Sequence, residues 1–298
     1  MAGIDINRST SGVLLPPEVS GEIWSNAITE SAVMQLSRQI TLPGSGVSIP
    51  IITGDAEADW VAETAEKPVS RATLGNKLIT PYKLAVIEPF SNEFRRDLPG
   101  LYAELARRLP SALARKFDST VLAGAAPGSN FDVLTGAAAV GISGDTYGGL
   151  VAADQAVATG GGLLNGWALS PQARGLLLGA VDAQGRPLFI NNVQTDGAVP
   201  ALLGAPVYTS KAVYLADIDG AGVGTDSQLG YAGDWTSAMF GTVEGVQISV
   251  SDQATINDGG TQLNLWQRDM FAIRAEIEIG FRVRDIAHFA KLTNATQA

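Results

Sequence analysis

FAIRAEIEIGFRV, Phe271–Val283, alternates apolar and polar residues along thirteen positions. Side chains of an extended chain point to opposite faces in turn, so Phe271, Ile273, Ala275, Ile277, Ile279, Phe281 and Val283 share one face. Arg274, Glu276, Glu278 and Arg282 fall on the other. A strand of this length is far beyond the usual ~5–6 residues and spans roughly 43 Å at ~3.3 Å per residue. Its charged face alternates both signs, which suits solvent or another copy of the chain.

Further upstream, Leu101, Leu105, Leu109, Leu113, Phe117 and Val121 recur on every fourth residue. That stripe predicts a helix of about 24 residues, roughly 35 Å long. Arg107, Arg108, Arg115 and Lys116 sit off the stripe. Ser91 reads as the cap that opens this helical region, Pro110 predicts a kink or a junction, and Gly124 and Pro127 mark the end.

VSIPIIT (47–53) and KLITPYKLAVIEPF (77–90), rich in β-branched residues, read as the two stems of one hairpin. The stretch between them, DWVAETAEKPVSRATLGNK (59–77), carries one Trp, both charge signs and no clear period. Such a long excursion is unusual inside a compact domain. Val19, Ile23, Ala27 and Ile28 recur at helical spacing within Glu18 to Gln39, predicting a short helix ahead of Met34 behind an irregular arm at 1–20. GGLVAADQAVATGG (148–161) reads as a small helix, Ser170 with Pro171 as the start of another, and short strands fill much of 186–252. A long helix, a very long strand and a long arm suit an extended, plate-like shape that gains stability by touching neighbours.

The 298 residues are 46% hydrophobic and 17% charged, with no cysteine and one histidine. Disulfides, thiolate sites, cysteine nucleophiles and multi-histidine metal centres are thereby excluded. The N-terminus has no signal-like apolar stretch, and no window approaches the roughly 18 apolar residues of a membrane span. The expectation is a soluble protein made in a cytoplasm, with no membrane partner. The net charge of −10 argues against an electrostatic grip on a nucleic-acid backbone. Pro187–Gln267 holds eight acids against one base, Lys211, and reads as a solvated acidic surface.

No catalytic constellation emerges. The lone His288 lies in apolar RDIAHFAKL with no serine elbow elsewhere, and reads as structural. GGLVAADQAVATGGG lacks a phosphate-binding pattern, and LADIDGAGVGTDSQ, with Asp217, Asp219 and Asp226, lacks the full set of calcium-loop ligands. Glu57, Glu63, Glu66 and Glu88 could furnish a glycosidase-type pair only through a geometry that sequence does not supply. Trp24, Trp60, Trp167, Trp235 and Trp266 are dispersed and read as core or interface anchors. Catalytic, cofactor and metal sites are therefore expected to be none.

Six segments in order resemble the major capsid proteins of tailed phages with the Hong Kong 97-type fold. WVAETAEKPVS (60–70) is similar to that family's extended loop, and ELARRLPSALARKFDSTVLAGAAPG to its spine helix, with Asp118 and Gly124 in the D-x-x-x-L-x-G ending. NGWALSPQARGLLLGAVDAQGRPLF resembles the opening of the axial domain, and VPALLGAPVYTSKAV its L-L-G-x-P-V segment. GYAGDWTSAMFGTVEGVQISVSD and WQRDMFAIRAEIEIGFRVRDIAHFAKL resemble the later strands and the terminal F-A-x-L.

The resemblance implies an α+β fold in six parts. Residues 1–43 would form an arm and short helix, 44–80 the extended loop, and 81–140 the peripheral domain with its spine helix. Residues 141–245 would form the axial domain, 246–284 the long peripheral strands, and 285–298 a segment returning toward the axial domain. It implies a non-enzymatic shell protein that self-assembles through pentamers and hexamers into an icosahedral virion capsid, in the host cytoplasm, around double-stranded DNA contacted non-specifically. A separate scaffolding protein and a portal are the implied partners, and a decoration protein stays open. Because the arm ahead of the fold is short, the expectation is either no cleaved scaffolding segment or a separate scaffolding protein. Lys67 and Lys77 lie in the loop, but nothing marks the partners of a covalent crosslink, so none is expected. The residues expected at subunit interfaces are Trp60, Glu63, Glu66, Lys67, Pro68, Arg71, Lys77, Arg274, Glu276, Glu278 and Arg282. Trp60 either anchors the loop on another subunit or folds back on its own. An encapsulin-type compartment shell, which shares the fold, is the alternative function; a glycan-active enzyme or sugar-binding module is a further one.

Overall fold

The computed structural model describes residues 31–54, 58–61, 67, 69–71, 73–92, 98–181, 185–189, 201–216 and 227–296. In chain order the elements are α1 (Ala32–Leu36), β1 (Arg38–Thr41), β2 (Val47–Gly54), β3 (Thr73–Ile79), β4 (Tyr82–Ser91) and α2 (Leu98–Ala123). Then come β5 (Ala138–Ser143), α3 (Thr146–Thr159), β6 (Gly166–Leu169), α4 (Pro171–Gly179), β7 (Ala201–Leu202), β8 (Ala205–Thr209) and β9 (Gln228–Gly233). The last are β10 (Ala238–Thr242), β11 (Gln247–Ser251), β12 (Thr255–Asp258), β13 (Thr261–Asn264), β14 (Met270–Val283) and β15 (Phe289–Thr296).

The alternating run at 271–283 forms β14, the axis of a five-stranded sheet. β4 runs antiparallel along one edge from Met270↔Ser91 to Ile279↔Tyr82. The other edge is shared lengthwise by β11, over 272–276, and β10, over 279–283, with β1 parallel outside β10. The seven apolar residues of the expected inner face are all buried. They pack on the helical stripe: Leu109 and Leu113 meet Phe271 through Ile277, while Phe117 and Val121 meet Ile279 through Val283. Fully burying each large side chain contributes about 1.5–3 kcal/mol, which is why the two longest elements lie together.

Several expectations at element ends are corrected. α2 runs through Pro110 without dividing, because Leu109 and Leu113 on either side are locked in the core. Ser91 is the last ladder residue of β4, opposite Met270, seven positions ahead of α2, and residues 93–97 between them lie outside the described part. The short helix expected ahead of Met34 falls mainly on positions before Ser31; the described α1 ends at Leu36, since Ser37 turns extended and Arg38–Thr41 joins the sheet beside β10. Residues 18–30 lie outside the described part. The run at 77–90 is two strands, not one hairpin stem. β3 starts at Thr73 and pairs with β2 from Val47↔Ile79 to Gly54↔Thr73. Thr80-Pro81 cuts the run, Pro81 having no N–H to offer, and the remainder is β4.

A second, six-stranded sheet has the order β5-β15-β9-β6-β8-β7. α3 begins at Thr146, capped by Asp145, two residues before the expected glycines, and buries Leu150, Ala153 and Val157. Ser170 caps α4 through Ala173 N–H with Pro171 in the first turn, as expected. The chain leaves this sheet at Gly233 and enters the long-strand sheet at Ala238, ahead of position 245, and β15 returns to pair with β9 and β5. Phe117, Phe131 and Phe281 cluster edge-on or tilted, and Trp235 packs on Phe289 at 5.2 Å; both groups belong to one core that joins the two sheets.

Candidate subunit interface

The β2–β3 ribbon belongs to neither sheet. Its root is held by Arg282, one of the charged-face residues of β14. Arg282 Nε donates to the Leu78 carbonyl at 2.8 Å, Nη1 to Asp132 Oδ1 at 2.6 Å, and Nη2 to Asn130 Oδ1 at 3.1 Å. Asp132 also accepts from Val283 N–H at 3.1 Å and lies 3.5 Å from the Lys77 ammonium, which donates to the Val283 carbonyl at 2.8 Å. The Arg282 and Asp132 side chains are only 12% and 22% exposed, so this pair is shielded from water. Gly280 lets the ribbon come this close: a Cβ there would stand 2.7 Å from the Thr80 carbonyl oxygen. At the ribbon's base, Gly46 turns with φ 83°, which only glycine adopts freely, beneath the Ile79 carbonyl.

Lys77 and Arg282 are expected from the sequence at subunit interfaces; the structure joins them within the chain through Asp132, which the sequence does not single out. Asp132 lies about 150 residues from Arg282 in a loop without periodicity, and no local signal marks it.

At the far end of the ribbon Trp60 is 101% exposed, and Val61, Lys67, Val69 and Arg71 are exposed as well. The Trp60 ring is not covered by its own subunit, and its backbone N–H donates to Asp59 Oδ1 at 2.8 Å. Glu63, Glu66 and Pro68 lie outside the described residues. The remaining charged-face residues of β14 form a surface network with the flanking strands. Arg274 pairs with Glu276 at 3.0 Å and reaches Ser249 on β11, while Lys83 on β4 stands 3.5 Å from Glu276 and 3.8 Å from Glu278. Exposed pairs of this kind contribute little to stability, about 0–1 kcal/mol each.

Other titratable groups serve the fold. Asp118 on α2 is buried and accepts from Ser31 Oγ and from the backbone N–H groups of Ala32 and Val33, fixing the start of α1 to the long helix. Burial pushes its carboxyl above the usual range, against the lowering effect of those hydrogen bonds. Tyr231 is pushed up by burial, with its hydroxyl donating to Leu122 O and meeting Gln228 Oε1. Glu88 pairs with Arg108 at 3.6 Å. Among the described residues no cluster of three or more His, Asp or Glu could hold a metal ion, and no helix is long and apolar enough to cross a membrane. Asp217, Asp219, Asp226, Glu57 and Trp24 lie outside those residues. Trp167 and Trp235 are core residues, whereas Trp266, like Trp60, is exposed.

Comparison with known proteins places these features in context. The model of the phage capsid family matches residues 11–294. The probable major capsid protein gp17 of Mycobacterium phage D29 is 31% identical over 295 residues, covering 94% of this chain and 90% of the relative. The counterpart of Mycobacterium phage L5 is 32% identical over 302 residues, covering 95% and 91%. Among solved structures, a chain of Mycobacterium phage Adephagia superposes with a TM-score of 0.72 at 21% identity, covering 90% of this chain and 91% of its own. A chain from a structure described as the capsid of a native GTA particle computed with C5 symmetry gives 0.66 at 15% identity, covering 98% and 96%.

Proposed function

This chain belongs to the phage capsid family, and on that premise we propose that its copies close into an icosahedral shell by laying the β2–β3 arm of each subunit across a neighbour. It is a structural major capsid protein of a tailed phage, located in the virion capsid, and not an enzyme. The named relatives are phage capsid proteins, which disfavours the encapsulin-type compartment. The finer reading assigns residues 44–80 to the extended loop and 141–245 to an axial domain that meets its copies at the centres of pentamers and hexamers. A separate scaffolding protein and a portal act with it, a decoration protein is an optional partner, and double-stranded DNA is enclosed without sequence-specific contact. A net charge of −10 suits a container wall that does not grip its cargo.

The observation that carries the arm-over-neighbour reading is Trp60, a large aromatic ring wholly uncovered at the end of a ribbon whose root is rigidly tied. Exposed apolar surface of this kind marks an interaction site, and buried aromatic anchors dominate interface energetics. Glu63, Glu66, Lys67, Pro68 and Arg71 would flank that anchor, and Arg274, Glu276 and Glu278 would offer the mixed-charge surface of β14. Arg282 and Lys77 act at one remove, by aiming the arm.

Trp60→Ala tests the reading. The circular dichroism and melting of the unassembled subunit are expected to match wild type, while shell yield in sedimentation and electron microscopy falls at least tenfold. Undiminished shell yield would sink the role given to the arm.

A further inference from the structure

A cavity of about 320 Å³ lies between the arm, at Ile49 and Lys77, the end of β14, at Arg282 and Arg284, the turn after β9 that carries Asp234, and the turn before β15 that carries His288. His288 is the chain's single histidine and is 8% exposed. Its Nδ1 is sealed from solvent and faces no hydrogen-bonding group among the described residues. The ring's Nε2 is the nitrogen on the side of Gly161, another wall of the cavity. With no acceptor for a proton on Nδ1, the geometry places the ring N–H on Nε2, directed to the cavity.

The other lining groups divide into spent and open. The Asp234 carboxylate is engaged by its own turn and by the loop ahead of β6, accepting from Thr236 N and Oγ1, Asn165 Nδ2 and Leu163 N. Arg282 is committed to Asp132 and the arm root. The Lys77 ammonium donates to Val283 O and lies 3.5 Å from the Asp132 carboxylate, with donor capacity left over. The Lys77 ammonium and the His288 ring thus line a cavity whose charged lining is mainly cationic, and a carboxylate has two oxygens to offer them.

We propose that this cavity receives a carboxylate side chain from a second copy of the chain, held by His288 Nε2–H and Lys77. The inference rests on the shell reading above. A copy is the source because the chain carries 30 acids against 20 bases, so carboxylates are what a neighbouring surface chiefly presents. A carboxylate shared between an imidazole N–H and an ammonium makes charge-assisted hydrogen bonds, stronger than those either donor makes to a neutral acceptor.

The test compares wild type with His288→Phe. The unassembled variant is expected to melt at or above the wild-type temperature, since a phenyl ring leaves no polar atom sealed without a partner. The subunit concentration at which its shells form is expected to rise by about fivefold, the factor set by one hydrogen bond. If the Phe variant melts early, His288→Gln, which keeps an N–H donor, must assemble like wild type and His288→Met must not. Unchanged assembly of His288→Phe, equal behaviour of Gln and Met, or a map of wild-type shells with only water or a buffer anion at Nε2 overturns the proposal alone. Wild-type chain that forms no shell under any assembly condition overturns the capsid reading and takes this one with it.

Discussion

Removing Asp132 should unfasten the arm from the body. Asp132 bridges Arg282 at 2.6 Å, Val283 N–H at 3.1 Å and the Lys77 ammonium at 3.5 Å, so Asp132→Ala deprives three donors of their shared acceptor. Breaking a buried pair by deleting one partner costs about 3–5 kcal/mol, because the surviving charge stays desolvated. Arg282 keeps Leu78 O and Asn130 Oδ1, and both partners of the pair retain some exposure, so the low end, about 3 kcal/mol, applies. At ~2–4 °C per kcal/mol for a domain of this size, melting of the unassembled subunit should fall by roughly 6–12 °C. Limited proteolysis should cut within 55–71 faster than in wild type. Arg282→Met and the double variant complete a cycle whose coupling should exceed about 1 kcal/mol. Strictly additive single effects, or a drop in melting below about 2 °C, would show that the root is not held by this pair.

Gly280→Ala puts a Cβ 2.7 Å from the Thr80 carbonyl and 2.9 Å from Ile79 Cγ1, so it should lower stability by ~1–3 kcal/mol in denaturant titration. Gly245→Ala, which meets nothing within 4 Å, is the control expected to be silent. Asp118 gives a pH prediction with a definite sign. Its folded carboxyl titrates above the ordinary 3.8, so between those two values the folded chain binds more protons than the unfolded one. Its contribution to stability therefore grows as pH falls from the raised value toward 3.8 and shrinks as pH rises. Asp118→Asn should abolish that slope, so the stability of wild type relative to the variant should increase on acidification; denaturant titrations across that window showing the opposite trend would refute the burial argument.

Much of the fold was legible because its longest elements bury whole faces. The alternation at 271–283 and the four-residue stripe ending at Val121 carry their burial in their periods, and tertiary packing had nothing to override. Ser170-Pro171 was equally readable, since capping is a local event. Ends and partners were less so. Ser91 pairs in the ladder opposite Met270, far along the chain, and no local pattern announces that partner. The run at 77–90 has uniform β-propensity, yet β3 pairs with β2 and β4 with β14; only Pro81 hints at the division. Of the site, the charges at Lys77 and Arg282 could be named but not their convergence, because Asp132 comes from a loop. Whether Trp60 is covered was undecidable from composition, since an aromatic in a polar loop fits either case.

The position of Arg282 has a consequence for how a shell of such subunits would behave. It is a β14 residue, two positions past Gly280, where the ribbon crosses close above the strand. Its neighbours on the opposite face, Phe281 and Val283, are buried in the core that joins α2 to both sheets. A displacement of the arm is therefore opposed first by hydrogen bonds to Leu78 and Asp132 and then by the packing of Phe281 against Phe117 and Phe131. Close-packed cores deform little, so the ribbon's root and the subunit body should move as one unit. The same root also walls the cavity at His288. A neighbour's carboxylate seated there would meet Lys77 on the arm and His288 on the body together, coupling occupancy of that cavity to the direction in which the arm points.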